Sequence, residues 1–147
     1  MPLSILYNCY YSQRVKDERM SELLRITLSG LPPSTNSMYR TGKYGNRYKR
    51  EAVSMWQEET AEKLREAWNS SRYGGNVEVH IVFKFKGNRR WDIDNRLKSL
   101  LDCLELGGVI ADDSQIWGLQ ARKERGETDS VEMEIYEYPN MPEKETK

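Results

Sequence analysis

The stretch VEVHIVFKFKGNRRWDIDNRLKSLLDCLELGG, residues 77–108, contains a change of hydrophobic period. From residue 77 to 85 apolar side chains alternate with mostly polar ones, which is typical of a β-strand with one buried face. From 95 to 106 four leucines recur at i, i+3, i+4 and i+7, the spacing of an amphipathic helix. Gly107-Gly108 then ends that helix. The centre of the chain is therefore predicted to be a strand followed by a helix.

Weaker periodic segments lie on both sides of this centre. Alternation predicts a strand around 24–28, and an apolar stripe predicts a helix from about 48 to 68. After the central helix, alternation at 115–123 and 131–135, with Gly126 between them, predicts a C-terminal hairpin. The fold class is thus α/β (α+β), with the order β-α-β-α-β-β. We expect a single compact domain with a mixed sheet and helices packed on it.

Length and composition limit the domain plan and the compartment. A chain of 147 residues is enough for one domain. We assign it to residues 21–138, with an N-terminal arm or extension at 1–20 and a polar C-terminal tail at 139–147. No apolar run approaches the ~20 residues of a membrane span, and the N-terminus is a poor secretory signal. We therefore expect a cytoplasmic protein with no membrane partner. The sequence contains too few Cys and His residues for a disulfide framework or a zinc site.

The formal net charge of zero conceals an uneven distribution. Residues 39–98 carry 14 Lys/Arg and 8 Asp/Glu, whereas residues 99–147 carry 5 and 12. Because the local field attracts a polyanion, and the molecular average does not, a basic middle segment is compatible with DNA binding.

Several carboxylates lie around the central helix. Asp92 and Asp94 occur where the loop after the strand becomes the helix, and Lys98 and Asp102 follow at successive turns. Asp112-Asp113 precede the next strand, and we expect them beside the same end of the helix. Carboxylates without His or Cys suit a hard cation such as Mg²⁺ or Mn²⁺. A nearby lysine would neutralise a phosphate.

A structural explanation of the same acids remains open. An Asp at a helix start is a common N-cap, and an Asp–Lys pair at i, i+4 is a common surface ion pair. Asp112-Asp113 could be a turn. Only convergence of several acids at one place would favour a metal site.

Residues 92–116, DIDNRLKSLLDCLELGGVIADDSQI, resemble the signature of the RusA family of Holliday-junction resolvases. Residues 31–40, LPPSTNSMYR, resemble the Pro-rich N-terminal motif of that family, and Lys123 matches a lysine in its last strands. The resemblance covers most of residues 24–138. It implies a bacterial or phage-encoded homodimer, an Mg²⁺-dependent endonuclease with Mn²⁺ as a substitute, that cuts four-way DNA junctions with paired symmetric nicks.

The resemblance also implies roles for individual residues. Asp92, Asp94 and Asp113 would be the metal ligands, and Lys98 would be the essential cation. Three further residues would lie close to this set: Asp112, Asp102 and Asn95. The family often has a basic residue where this chain has Trp91, which could either stack on a DNA base or belong to the core.

Cations alternate with tyrosines in residues 39–50. Most of these residues belong to the segment 34–48, which we predict to be a loop. Cations of this kind contact phosphates, and tyrosines offer stacking area. The predicted DNA-binding residues are Arg40, Lys43, Arg47, Lys49, Arg89, Arg90 and Lys123. A solvated loop is the alternative.

For the whole protein, two other functions remain open: a metal nuclease acting on flaps or forks, and a non-catalytic protein that binds branched DNA.

Overall fold

A computed structural model of the chain describes residues 20–34, 39–45 and 47–139. The α+β class and the predicted element order are confirmed, so the central strand and helix anchor the domain as expected. Most of the predicted N-terminal arm and C-terminal tail lies outside the described residues. In chain order the elements are β1 (Glu22–Ser29), β2 (Tyr39–Thr41), β3 (Arg47–Lys49), α1 (Glu51–Trp68), β4 (Val77–Phe85), α2 (Asp94–Leu106), a 3₁₀ helix (Asp113–Gln115), β5 (Ile116–Arg125) and β6 (Ser130–Glu137).

The main sheet has four strands in the order β1-β6-β4-β5. β4 and β5 are parallel, whereas β6 is antiparallel to both β1 and β4, so the predicted mixed sheet is confirmed. Between the parallel strands the chain passes through α2, which makes β4-α2-β5 a βαβ unit. Such a unit returns the chain to the end of the sheet at which β4 began, so that β5 runs in the same direction.

The C-terminal hairpin is present as two consecutive antiparallel strands, but β4 lies between its arms. The connection from β5 to β6 therefore crosses the end of β4. Gly126 N–H donates to Phe85 O at 3.0 Å, and the Asp129 carboxylate accepts from Lys86 N–H at 3.0 Å. The alternation of the sequence predicted β5 and β6 correctly. It contained no information on the insertion of β4, which depends on pairing with distant residues.

The apolar face of β4 and the leucine face of α2 form the centre of the core. Val77, Val79 and Phe83 are fully buried, as are Leu100 and Leu104 on the helix. This burial fixes α2 against the sheet. The loop that carries Asp92 is held at one end of the helix, and the loop that carries Asp113 is held at the other.

One local prediction is corrected. The segment 34–48, predicted to be a loop, contains strand β2 and most of strand β3, which pair antiparallel. Its turn uses Gly45 at φ +82°, a backbone conformation that favours glycine. In the edge strand β5, Trp117 and Leu119 are 63% and 43% exposed. Neither α-helix of the described residues is long and apolar enough to cross a membrane.

Candidate active site

The first two acids lie exposed at the N-terminal end of α2. The N-cap residue is Ile93, and no side chain makes a capping hydrogen bond there. Asp92 instead contacts Asn95, whose Nδ2 lies 3.4 Å from Asp92 Oδ2. Because neither Asp92 nor Asp94 caps the helix through its side chain, the N-cap explanation of these two acids is not supported. Their carboxylates are accessible to a cation from solvent.

Lys98 and Asp102 extend this surface along the helix. Lys98 Nζ lies 3.4 Å from Asp102 Oδ1, the i, i+4 pair expected from the sequence. The Lys98 side chain is 58% exposed. An exposed pair of this kind stabilises a helix by only ~0.3–0.5 kcal/mol, so it leaves the lysine available to a ligand.

Trp91 is partly buried and packs against the core, which favours the core alternative over base stacking. Its ring packs edge-on against Phe83 and Phe85, each at 5.4 Å between centroids. Lys123 Nζ donates to Trp91 O at 2.7 Å and lies 4.8 Å from the ring centroid. The predicted DNA-binding Lys123 is thereby placed next to the loop that carries Asp92.

Arg96 is a cation of this region that the sequence reasoning did not select. Its guanidinium carbon lies 5.2 Å from the Trp91 ring centroid, and its Nη1 donates to Pro32 O at 2.6 Å. Burial lowers the pKa of Arg96, and the positive charge of Arg89 lowers it further. Arg89 and Arg96 are therefore close enough for their positive charges to interact, while Asp129 acts on the pKa of Arg96 in the opposite direction. The tertiary contacts with Trp91 and Pro32 distinguish Arg96 from an ordinary helix-surface arginine.

The other two predicted arginines lie in the loop between β4 and α2. Arg89 and Arg90 are both exposed. Arg89 Nη2 pairs with Asp129 Oδ2 at 2.6 Å. The pKa of Asp129 is lowered mainly by the backbone N–H of Lys86 and then by Arg89. Arg89 is thus partly neutralised, whereas Arg90 adds its charge to the surface near Asp92.

The second acid pair is built into the 3₁₀ helix. Asp112 is its N-cap residue and forms a capping box with Gln115, whose Oε1 accepts from Asp112 N–H at 3.0 Å. Ser114 Oγ donates to Asp112 Oδ2 at 2.7 Å. Hydrogen bonds from Ser114, and then from Asp113, lower the pKa of Asp112. Asp112 is therefore held ionised with a fixed orientation.

Glu105 joins this second pair. Asp113 N–H donates to Glu105 Oε1 at 2.6 Å. Among the described residues, one carboxylate oxygen each from Glu105, Asp112 and Asp113 lie within 4.8 Å of one another. Sequence reasoning missed Glu105, although an acid in the last turn opposes the helix dipole and could have indicated another role.

The two acid segments lie at opposite ends of α2, so the expected convergence within one chain is not observed. Asp94 is the first residue of the helix and Glu105 is next to its last. Eleven residues at the helical rise separate their Cα atoms by about 16 Å. Because β4 and β5 are parallel, the loop that leaves β4 and the loop that enters β5 must lie at opposite ends of these strands. Two ligands of one Mg²⁺ lie within about 4 Å.

Comparison with known proteins supports the motif. The family described as Endodeoxyribonuclease RusA matches residues 30–136. The chain belongs to the RusA family. It is also 32% identical over 102 residues to "Crossover junction endodeoxyribonuclease RusA" of Aquifex aeolicus (strain VF5), covering 69% of this chain and 81% of that protein. The match spans both acid segments and the helix between them.

The RusA match also includes the hairpin of β2 and β3. Arg40 pairs with Tyr48 across its ladder, and Thr41 pairs with Arg47. Lys43 is exposed in the turn. The side chains of Arg40, Arg47 and Lys49 lie outside the described part of the structure, so their contacts with DNA remain a prediction.

Carboxylate side chains lie at both ends of α2 in this RusA domain, and carboxylate oxygens are the groups that a hard divalent cation prefers. At the Glu105 end the clustered oxygens are close enough for one ion. At the other end, the exposed Asp92 and Asp94 stand near Lys98 and Lys123, which can neutralise phosphate. Each end has part of what a metal-dependent nuclease requires.

Proposed function

We propose that this RusA-family endodeoxyribonuclease resolves four-way (Holliday) DNA junctions by paired symmetric hydrolysis of phosphodiester bonds, in DNA recombination and repair. Mg²⁺ is the proposed cofactor, and Mn²⁺ substitutes for it. The Aquifex relative is named for crossover junctions. The observation that carries the proposal is the pair Asp92 and Asp94, exposed and not used as helix caps beside Lys98.

In this proposal Asp92, Asp94 and Asp113 hold the metal, which when bound supplies an activated water and stabilises charge on the phosphodiester. Lys98 approaches the same phosphate and neutralises part of its charge. Asp112, Asp102 and Asn95 orient these groups through the hydrogen bonds described above. Asp112 is well suited to this role, because its own carboxylate is fixed by Ser114.

A homodimer resolves the separation of the two acid segments. Asp92 and Asp94 of one chain would meet Asp112 and Asp113 of a second chain, because the two ends of α2 in one chain are about 16 Å apart. Two-fold symmetry then produces two identical sites. A four-way junction has the same approximate symmetry, so two sites suit two symmetric nicks.

The basic residues would bind the phosphates of the junction arms. Arg89, Arg90 and Lys123 surround the N-terminal end of α2, and Lys43 projects from the β2–β3 turn. Contacts of this kind fix the position of DNA without selecting its sequence. The protein would therefore act in the cytoplasm of a bacterium or a phage-infected cell, on DNA selected by its shape.

The test is cleavage of a synthetic four-way junction with and without Mg²⁺, with the products of both strands sized. We expect symmetric nicks that depend on the metal, and little cleavage of a linear duplex of the same sequence. Preferred cleavage of forked or flapped DNA would instead show a related nuclease. Junction binding without cleavage in either Mg²⁺ or Mn²⁺ would show a non-catalytic protein.

A further inference from the structure

Two cations face one aromatic ring beside the first acid of the site. Arg96 belongs to α2 and Lys123 to β5, yet their charged groups lie 5.2 and 4.8 Å from the centroid of the Trp91 ring. Lys123 is also bound to the backbone of Trp91 through its Nζ, at 2.7 Å from the carbonyl oxygen. Trp91 is thus the common contact of two cations that are far apart in sequence.

The ring itself is held in place from below. Phe83 and Phe85 meet it edge-on, at interplanar angles of 86° and 77°. Phe83 is fully buried and Phe85 is 8% exposed, so these contacts are part of the core. To stack on a DNA base, Trp91 would have to leave both phenylalanines and both cations. Its packing therefore favours a supporting role over base stacking.

Hydrogen-bond donors in this cluster lack acceptors. Arg96 Nε and Trp91 Nε1 are both buried, and neither has a hydrogen-bond partner among the described residues. The described contact of Arg96 with Pro32 O uses Nη1 alone, although a guanidinium has five N–H donors. Buried donors without partners are uncommon in native proteins. Because these two atoms are buried, a ligand would meet the cluster at the outer N–H groups of Arg96 and at Lys123 Nζ, whose positive charges favour an anion rich in acceptor oxygens.

We propose that Trp91 is a platform that holds Arg96 and Lys123 together as one phosphate-binding subsite for the DNA strand that enters the active site. The cations attract the phosphate, and the ring fixes their separation and orientation through cation–π contacts. Trp91 is then a positioning residue that acts through the two cations. The inference rests on the proposed function only in that the phosphate belongs to DNA.

The experiment measures the dissociation constant of the full chain for a four-way junction and a matched linear duplex, in Ca²⁺ without Mg²⁺, over a range of KCl concentrations. Arg96→Gln and Lys123→Gln should each lower the slope of log K against log salt by about 1, because each removes one phosphate contact. The double variant should lower it by about 2. Trp91→Leu keeps both charges, but it should also lower the slope by at least about 1.

The energetic coupling between Trp91 and the two cations distinguishes a positioning role of the ring from a purely structural one. Trp91→Leu added to the double cation variant should weaken binding by less than about twofold, because the contacts that it positions are already absent. Trp91→Phe retains an aromatic face and should keep most of the slope. Arg25→Gln is the matched charge control on β1, at the opposite edge of the sheet, and should leave the slope unchanged. Thermal unfolding midpoints verify that each variant is folded.

Three results would overturn the platform. One is a wild-type salt slope in Trp91→Leu together with weaker binding, which indicates base stacking. Another is a full effect of Trp91→Leu in the double cation background. The third is an unchanged slope in Arg96→Gln and Lys123→Gln, which tests the subsite without altering the core. If the protein binds the junction no more tightly than the duplex, the proposed function fails, while the slopes on duplex DNA still test the subsite.

Discussion

The backbone N–H of Asp113 donates to the carboxylate of Glu105 at 2.6 Å, which fixes Asp113 at the C-terminal end of α2. Asp94 begins the same helix. One rigid element therefore separates the two acid segments that the family motif joins in sequence.

Replacing Asp94 by Asn should abolish cleavage but not binding. The amide keeps the shape and removes the negative charge that a metal ligand requires, so we expect cleavage in Mg²⁺ to fall by at least about 100-fold. Junction binding should be equal or tighter, because a charge that repels phosphate is lost. Glu59→Gln, an exposed acid on α1, is the control. Normal turnover by Asp94→Asn would remove this residue from the site.

Mixed dimers should distinguish a shared site from a single-chain site. Asp94→Asn and Asp113→Asn should each be inactive alone. In a heterodimer of the two variants, one shared site contains both replacements and the other contains neither, so nicking of one strand should return. If each site were built within one chain, both would be damaged. An inactive purified heterodimer that still binds the junction would contradict the shared arrangement.

Gln115 should be essential to the second acid segment. Its Nε2 donates to Tyr73 O at 2.7 Å and Gly75 O at 2.8 Å, and its Oε1 accepts from Ala111 N–H at 2.7 Å. Gln115→Ala leaves these backbone groups unpaired, so the free energy of unfolding should fall by about 2–3 kcal/mol in urea titrations. Gln120→Ala, in the strand β5 that follows the 3₁₀ helix, is the control, since Gln120 Nε2 has no partner within the described ranges. Equal losses would contradict the role of Gln115.

Stability at alkaline pH should depend on Tyr136. Burial, followed by the hydrogen bond to Glu134, raises the pKa of Tyr136 to about 12. The neutral phenol is favoured in the folded state, so its contribution is complete below about pH 10 and is lost as the pH rises towards 12. The free energy of unfolding of Tyr136→Phe, from urea titrations, should fall less steeply over this range than that of the wild type, by a difference on the order of 1–2 kcal/mol. Parallel curves would contradict this.

The sequence predicted local structure well because hydrophobic period is a local property. The alternation in Val77–Phe85 and the leucine spacing in Asp94–Leu106 each identify one buried face, and both elements were found as expected. The loop prediction for 34–48 failed because three-residue strands are too short for a clear period. Pairing of β4 between β5 and β6 depends on contacts across the chain, which no local pattern contains.

The sequence selected the candidate residues of the site but did not predict their geometry. Asp92, Asp94 and Asp113 were selected through the resemblance to the RusA motif, but the distance between the two segments follows from the parallel pairing of β4 and β5. A strand–helix–strand unit with parallel strands already places its two loops at opposite ends of the strands. The separation of the two acid segments could therefore have been predicted from the topology. Glu105 and Arg96 became visible only through their contacts with Asp113 and Trp91.

The placement of β4 has a consequence for synthesis on the ribosome. Both neighbours of this strand in the sheet, β5 and β6, follow it in the chain, so VEVHIVFKF emerges before either partner exists. Until residue 137 is available, both edges of the most apolar strand can pair with other chains. Truncated products that end within α2 should therefore aggregate, and early binding of a chaperone to Val77–Phe85 should improve the yield of folded protein.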